Sequence, residues 1–129
     1  MKLYRKMLSD ADGMPLVGDG RNMLGVRPAD PNQPKFASDV SAAIGSDRVF
    51  PGEGLSAYDD PDKIPPRVQG EMWAIETGDI LASVVIYQRG KNPRHFQIEP
   101  QDELTLDEFQ LLLAETRDLW VLEDGGGNS

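Results

Sequence analysis

From its second residue the chain alternates, with Leu3, Arg5 and Met7 on one face of KLYRKML and Tyr4 and Lys6 on the other. That period of two predicts a strand, and it puts the Arg5 guanidinium on the same face as two apolar side chains. Apolar pulses return at GLSAY (54–58), EMWAI (71–75), SVVIYQ (83–88) and RHFQIE (94–99), predicting four more strands. Between Ser9 and Pro51 the chain is dense in Gly, Pro, Asp and Asn, and only SDVSAAI (38–44) reads as a short helix opened by a Ser or Asp cap. In a small domain so long an irregular stretch is functional or mobile more often than a mere connector. The clearest element comes last. Thr105 and Glu108 form a T-x-x-E capping box, and Leu106, Phe109, Leu113, Thr116 and Trp120 recur at three and four residues, predicting one buried stripe on a helix from Leu106 to about Trp120. The tail EDGGGNS has nothing to pack and should fray.

Strands outnumber helices and their connections vary in length, which predicts an α+β fold of mixed or antiparallel sheets with a C-terminal helix rather than regular βαβ winding. The 129 residues fit one domain, taken as 1–124 with a disordered tail at 125–129 and no internal repeat. Thirteen glycines and ten prolines against 39% hydrophobic residues imply a small core in much turn and loop.

The formal charge of −9 repels phosphate backbones and argues against general nucleic-acid binding, while suiting encounter with a basic partner. No cysteine is present, which excludes disulfides, thiol catalysis and cysteine-ligated metals. The charged start MKLYRKMLSDADG has no apolar core for a signal peptide, and the longest apolar run, ILASVVIY, is too short to span a bilayer. The expectation is a cytoplasmic protein when made, no membrane partner, and any export by a route independent of a signal peptide.

Three polar residues interrupt apolar strand pulses: Arg5, Ser56 and Glu99. Burying a charge at a sheet edge is costly unless it is paired or bound, so the three could line a cleft. Spacing alone favours the plainer arrangement, in which Arg5 and Glu99 form an ordinary ion pair or face solvent. His95, the single histidine, cannot build a multi-histidine metal site, and no D-x-[DN]-x-[DN]-G loop occurs, so no metal is expected. It stands four residues before Glu99, on the same strand face, and reads as a structural or ligand-orienting hydrogen-bond donor rather than a base, with an ordinary surface histidine as the plainer alternative. Without G-x-S-x-G around Ser56, a serine hydrolase has no motif to support it, which leaves a positioning hydroxyl. The glycines of GDG (18–20) and GEG (52–54) lack the strand-to-helix context of a phosphate loop, and Asp59 and Asp60 read as turn residues.

The order of motifs resembles a family of type VI secretion effector toxins with an ADP-ribosyltransferase-like fold. It consists of LYR on the first strand, GVRP in the irregular segment, GLS followed by IPP, W-x-I, H-x-x-I-E-P, and LTLDEFQ with RDLW in the last helix, from about Leu3 to Val121. The resemblance implies NAD as substrate, bound through Arg5, its neighbour Tyr4 and Ser56. An Arg fork suits the pyrophosphate or ribose, and the hydroxyl suits the nicotinamide ribose. It implies catalytic roles for Glu99, Ser56 and His95, the carboxylate stabilising the oxocarbenium-like charge that develops as nicotinamide leaves, with Gln97 in the accompanying position. It also implies delivery to a target cell, an unidentified macromolecular acceptor and a cognate immunity protein that neutralises the toxin. NAD hydrolysis and a non-catalytic, partner-binding use of the same fold are the alternatives.

Overall fold

In the computed structural model, residues 1–33, 38–80 and 84–123 are described. Eight strands and one α-helix follow in chain order: β1 (Lys2–Met7), β2 (Arg48–Val49), β3 (Leu55–Tyr58), β4 (Glu71–Glu76), β5 (Val84–Gln88), β6 (His95–Pro100), β7 (Leu104–Thr105), α1 (Leu106–Glu115) and β8 (Val121–Leu122). Six of the strands form one antiparallel sheet in the order β5-β6-β3-β1-β4-β8, and β2 pairs with β7 in a small second sheet at the entrance to α1. The fold is α+β.

The alternation read in β1 sets the two faces of the large sheet. Leu3 pairs opposite Ile75 and Arg5 opposite Trp73, and Leu55 pairs opposite Ile98, so this face carries the core. Leu3, Met7, Leu55, Ala57, Trp73, Ile75 and Ile98 are buried there in one cluster with Phe109, Leu113 and Trp120. The opposite face carries Tyr4, Ser56, Tyr58, His95, Gln97 and Glu99, because Tyr4 faces Tyr58, Ser56 faces Gln97 and Tyr58 faces His95. Two glycines allow the close approaches this arrangement needs. A Cβ on Gly54 would run into the Ile98 carbonyl of β6, and Gly70, at φ +115°, lies against the Met7 backbone where only a residue without a side chain fits.

At the N-terminus of α1 both halves of the capping box are made. The Glu108 carboxylate accepts from the Thr105 amide (2.9 Å), and the Thr105 hydroxyl accepts from the Glu108 amide (3.2 Å). All five residues of the expected stripe are buried. The helix ends earlier than its periodicity suggests, at Glu115, and Trp120 is reached through a 3-10 turn (Arg117–Leu119). The Thr116 hydroxyl provides the reason: it donates back to the Leu113 carbonyl (2.6 Å) and accepts from the Trp120 indole (3.0 Å), satisfying the helix end and fixing the tryptophan without another α-turn.

The short helix expected at 38–44 is absent. Its backbone groups are taken by distant partners: the Asp39 amide donates to the Arg27 carbonyl, the Ala42 carbonyl accepts from Ala29, and the Ala43 amide donates to the Asp47 carboxylate. The described part of the irregular segment is thus pinned, and it contributes Leu24, Val26, Val40 and Val49 to the core. The amide of Gln110 on α1 clamps it from below, accepting from the Val26 N–H (3.0 Å) and donating to the Val26 carbonyl (2.8 Å), beside Arg27. The tail at 124–129 and the first residue of the expected 83–88 strand lie outside the described residues.

Candidate functional site

β1 and β3 pair only where Tyr4 stands opposite Tyr58. Arg5, Lys6, Ser56 and Tyr58 line a cleft of about 580 Å³, which therefore enters the sheet where the two strands separate. That volume is in the range of small-molecule sites. The irregular segment supplies Arg21, Asn22, Arg27 and Asp39, and the loop after β3 supplies Ile64, Pro65, Arg67, Val68 and Gln69. Arg27 of GVRP and Ile64 and Pro65 of IPP, distant in sequence, thus line one cleft.

Arg5 occupies the separation. Its Nη1 donates to the Ser56 carbonyl (2.9 Å), where a ladder amide from β1 would otherwise serve, and its Nη2 donates to the Met23 carbonyl (2.9 Å). Its Nε is buried with no partner among the described residues. Burial pulls the Arg5 pKa down to about 10, against the opposing pull of Asp39, so the group is still a cation at neutral pH. Asp39 is itself committed to Arg27, accepting from its amide (2.8 Å) and its guanidinium (3.3 Å). Lys6, Arg21 and Arg67 make no ion pair among the described residues. In a protein of net charge −9, this cleft gathers five basic side chains (Arg5, Lys6, Arg21, Arg27, Arg67) around one carboxylate. Such a concentration of one sign, in a concave and partly desolvated site, favours an anionic ligand.

Ser56 joins the cleft to the polar face. Its Oγ lies 3.1 Å from His95 Nε2, and His95 Nδ1 lies 2.8 Å from the Arg89 carbonyl. A carbonyl can only accept, so Nδ1 carries the proton, and in the neutral imidazole Nε2 accepts from the Ser56 hydroxyl. Tyr58 packs against the imidazole, with ring centroids 5.1 Å apart at 59°.

Glu99 is not among the residues lining the cleft. It is fully buried at the far end of the same strand face as His95, in a bidentate pair with Arg89 (Nε to Oε2 2.6 Å, Nη2 to Oε1 2.8 Å), and it accepts from the Gly52 amide (2.9 Å). The two acceptors beside Gln97, Glu99 Oε2 and the Gly52 carbonyl, draw its NH₂ toward them (3.1 and 3.0 Å). An ion pair of Glu99 with Arg5 is therefore not formed. Arg89, Arg21, Arg27 and Arg67 carried no signal in periodicity, because each lies in a loop whose surroundings are set only by folding. Tyr4, half-buried opposite Tyr58, also lies outside the cleft's lining.

Arg5 and Ser56 are thus brought to one cleft, His95 is joined to Ser56 from behind, and Glu99 stands apart at Arg89. Among the described residues there is no group of three or more His, Asp or Glu side chains arranged to hold a metal ion, and no helix is long and apolar enough to cross a membrane. Comparison with protein-family models, with curated proteins and with solved structures finds no match to this chain.

Proposed function

We propose that the cleft between β1 and β3 binds NAD, and that the chain is an ADP-ribosyltransferase-like toxin acting on a macromolecular target in another cell. One observation carries the reading. A cleft of dinucleotide-compatible size concentrates Arg5, Lys6, Arg21 and Arg67 without paired carboxylates, in a protein that is otherwise acidic. A pyrophosphate is the kind of dense anion that the guanidinium forks of Arg21 and Arg67 hold, with the buried Arg5 cation adding to the positive field of the cleft. The fold class, an antiparallel sheet with Arg on its first strand and Ser on a neighbouring one, is compatible with the ADP-ribosyltransferase-like fold. A cognate immunity protein would neutralise the toxin by covering this cleft, its acidic groups replacing the ligand's phosphates.

The decisive test is calorimetric titration with NAD. Arg5→Ala, checked for folding by circular dichroism, should weaken binding by about 1.5 to 3 kcal/mol, the range for a charge-assisted bond. NAD affinity that is absent in the wild type, or unchanged in Arg5→Ala, would sink the assignment. Release of many equivalents of nicotinamide per protein without an added acceptor would turn the reading toward an NAD glycohydrolase.

The placement of Glu99 favours a second reading. A carboxylate committed to Arg89 and absent from the cleft is not disposed to steady an oxocarbenium ion there, as a non-catalytic binding protein of the same fold would have it. Toxicity retained in Arg5→Ala despite lost NAD binding would select that alternative. On either reading the overall charge still opposes duplex binding, so gel-shift titration with duplex DNA or RNA at physiological salt should show no submicromolar complex.

A further inference from the structure

With His95 neutral, the Ser56 hydroxyl directs its proton at Nε2, while the opposite ring nitrogen is pinned by a main-chain acceptor. Nucleophile, base and orienting group in that order are the parts of an activated nucleophile, reached here without a nucleophile-elbow motif. The Arg89 carbonyl that pins the imidazole belongs to a residue whose guanidinium is held by buried Glu99. The carboxylate thereby acts at a distance, fixing the segment that fixes the tautomer. On the other side, the Ser56 carbonyl is bonded to Arg5, a cation in the lining of the same cleft. Arg5 and Ser56 line the same cleft, so a ligand held there meets both.

We infer that Ser56 is a nucleophile and that, resting on the NAD reading above, it takes the ADP-ribosyl group itself before any external acceptor does. In that step the Ser56 Oγ–C1′ bond forms as the C1′–N bond to nicotinamide breaks. The electron pair of the broken bond leaves on the pyridine nitrogen and cancels its positive charge. The hydroxyl proton passes to His95 Nε2, so charge and atoms balance with no further reactant. The protein is left carrying an O-glycosidic ADP-ribosyl group on Ser56, an acetal from which a target nucleophile or water can take the group. Glu99 is a positioning residue in this scheme and does not touch the sugar.

The test has two arms on the whole chain. Wild-type protein is mixed with NAD, quenched in acid at intervals, and analysed by intact-mass and peptide-mapping spectrometry, with nicotinamide release and NAD binding measured on the same preparation. Separately, the protein is treated with a fluorophosphonate probe, which reports an activated serine independently of NAD. The expected result is one ADP-ribosyl group and one phosphonyl group, each mapping to Ser56. Both should be lost in Ser56→Ala and slowed by roughly 10²- to 10⁴-fold in His95→Asn, the span of a general base, with the melting temperature unchanged. Because the adduct is mapped on the wild type, the result does not depend on any variant folding. NAD binding and nicotinamide release with no adduct on Ser56 at any quench time would overturn the inference and leave the NAD reading standing. Phosphonylation of Ser56 in a protein that does not bind NAD would remove both the NAD reading and the proposed electrophile. An adduct that forms at an equal rate in His95→Asn would overturn the base role.

Discussion

Replacing Glu99 with Ala should lower the stability of the protein by about 3 to 5 kcal/mol, the cost of breaking a buried ion pair. Glu99 is fully buried, and every neighbour it satisfies is left short by the change. Arg89 loses two bonds, Gly52 loses the acceptor of its amide, and the Gln97 amide loses one of its two acceptors. The lower end of the range is expected, because Arg89 reaches the surface and can turn back to water, and Gly52 is an exposed turn residue. Urea denaturation read by tryptophan fluorescence provides the check, with the midpoint falling and the slope unchanged. Glu99→Gln separates charge from shape: it keeps an acceptor for Gly52 and loses only the ion pair, so its loss should be smaller. A catalytic carboxylate at a solvated site would behave in the opposite way, with activity falling and the unfolding midpoint unmoved. An unchanged midpoint in Glu99→Ala would therefore remove the structural role assigned here.

Phe109→Ala should cost a similar amount, about 3 to 5 kcal/mol, through loss of apolar transfer and the cavity left behind. Phe109 has no exposed surface and sits at the centre of the buried stripe on α1, between Leu106 and Leu113. For a chain of this size that loss should lower the melting temperature by on the order of 10 °C or more. The effect should extend to the cleft. Gln110, the next residue, clamps Val26 beside Arg27, so loosening α1 frees a wall of the anion site. A variant melting within a degree or two of the wild type would mean that α1 does not anchor on this face.

The helix was legible because its signals are local. Capping needs only Thr105 and Glu108 three residues apart, and the buried stripe needs only the 3.6-residue period, so neither depends on the rest of the chain. The same holds for the strand alternation that put Arg5 with Leu3 and Met7, and for the shared face of His95 and Glu99, since side chains two and four apart on a strand point the same way. The helix end was misplaced because Thr116 has two hydrogen-bonding options in the same sequence, and the position of Trp120 decides between them. SDVSAAI has local helix signals of the same kind, yet its backbone groups found partners at Arg27, Ala29 and Asp47, which periodicity does not see.

By itself, then, the sequence determined the α+β class, the five principal strands, the capped helix and the acidic surface, all of which follow from nearest-neighbour geometry or from composition. Only the tertiary structure decided which charges meet. A guanidinium on a loop carries no periodic signature, and its partner is set by how the chain closes over tens of residues. That is why Arg89 rather than Arg5 holds Glu99, why Arg21, Arg27 and Arg67 gather around Arg5 in a positive cleft, and why the single histidine stands within hydrogen-bonding distance of Ser56. β3 and β6 are adjacent in the sheet but 39 residues apart at that contact, and strand pairing across such a distance is chosen by the whole core rather than by either segment.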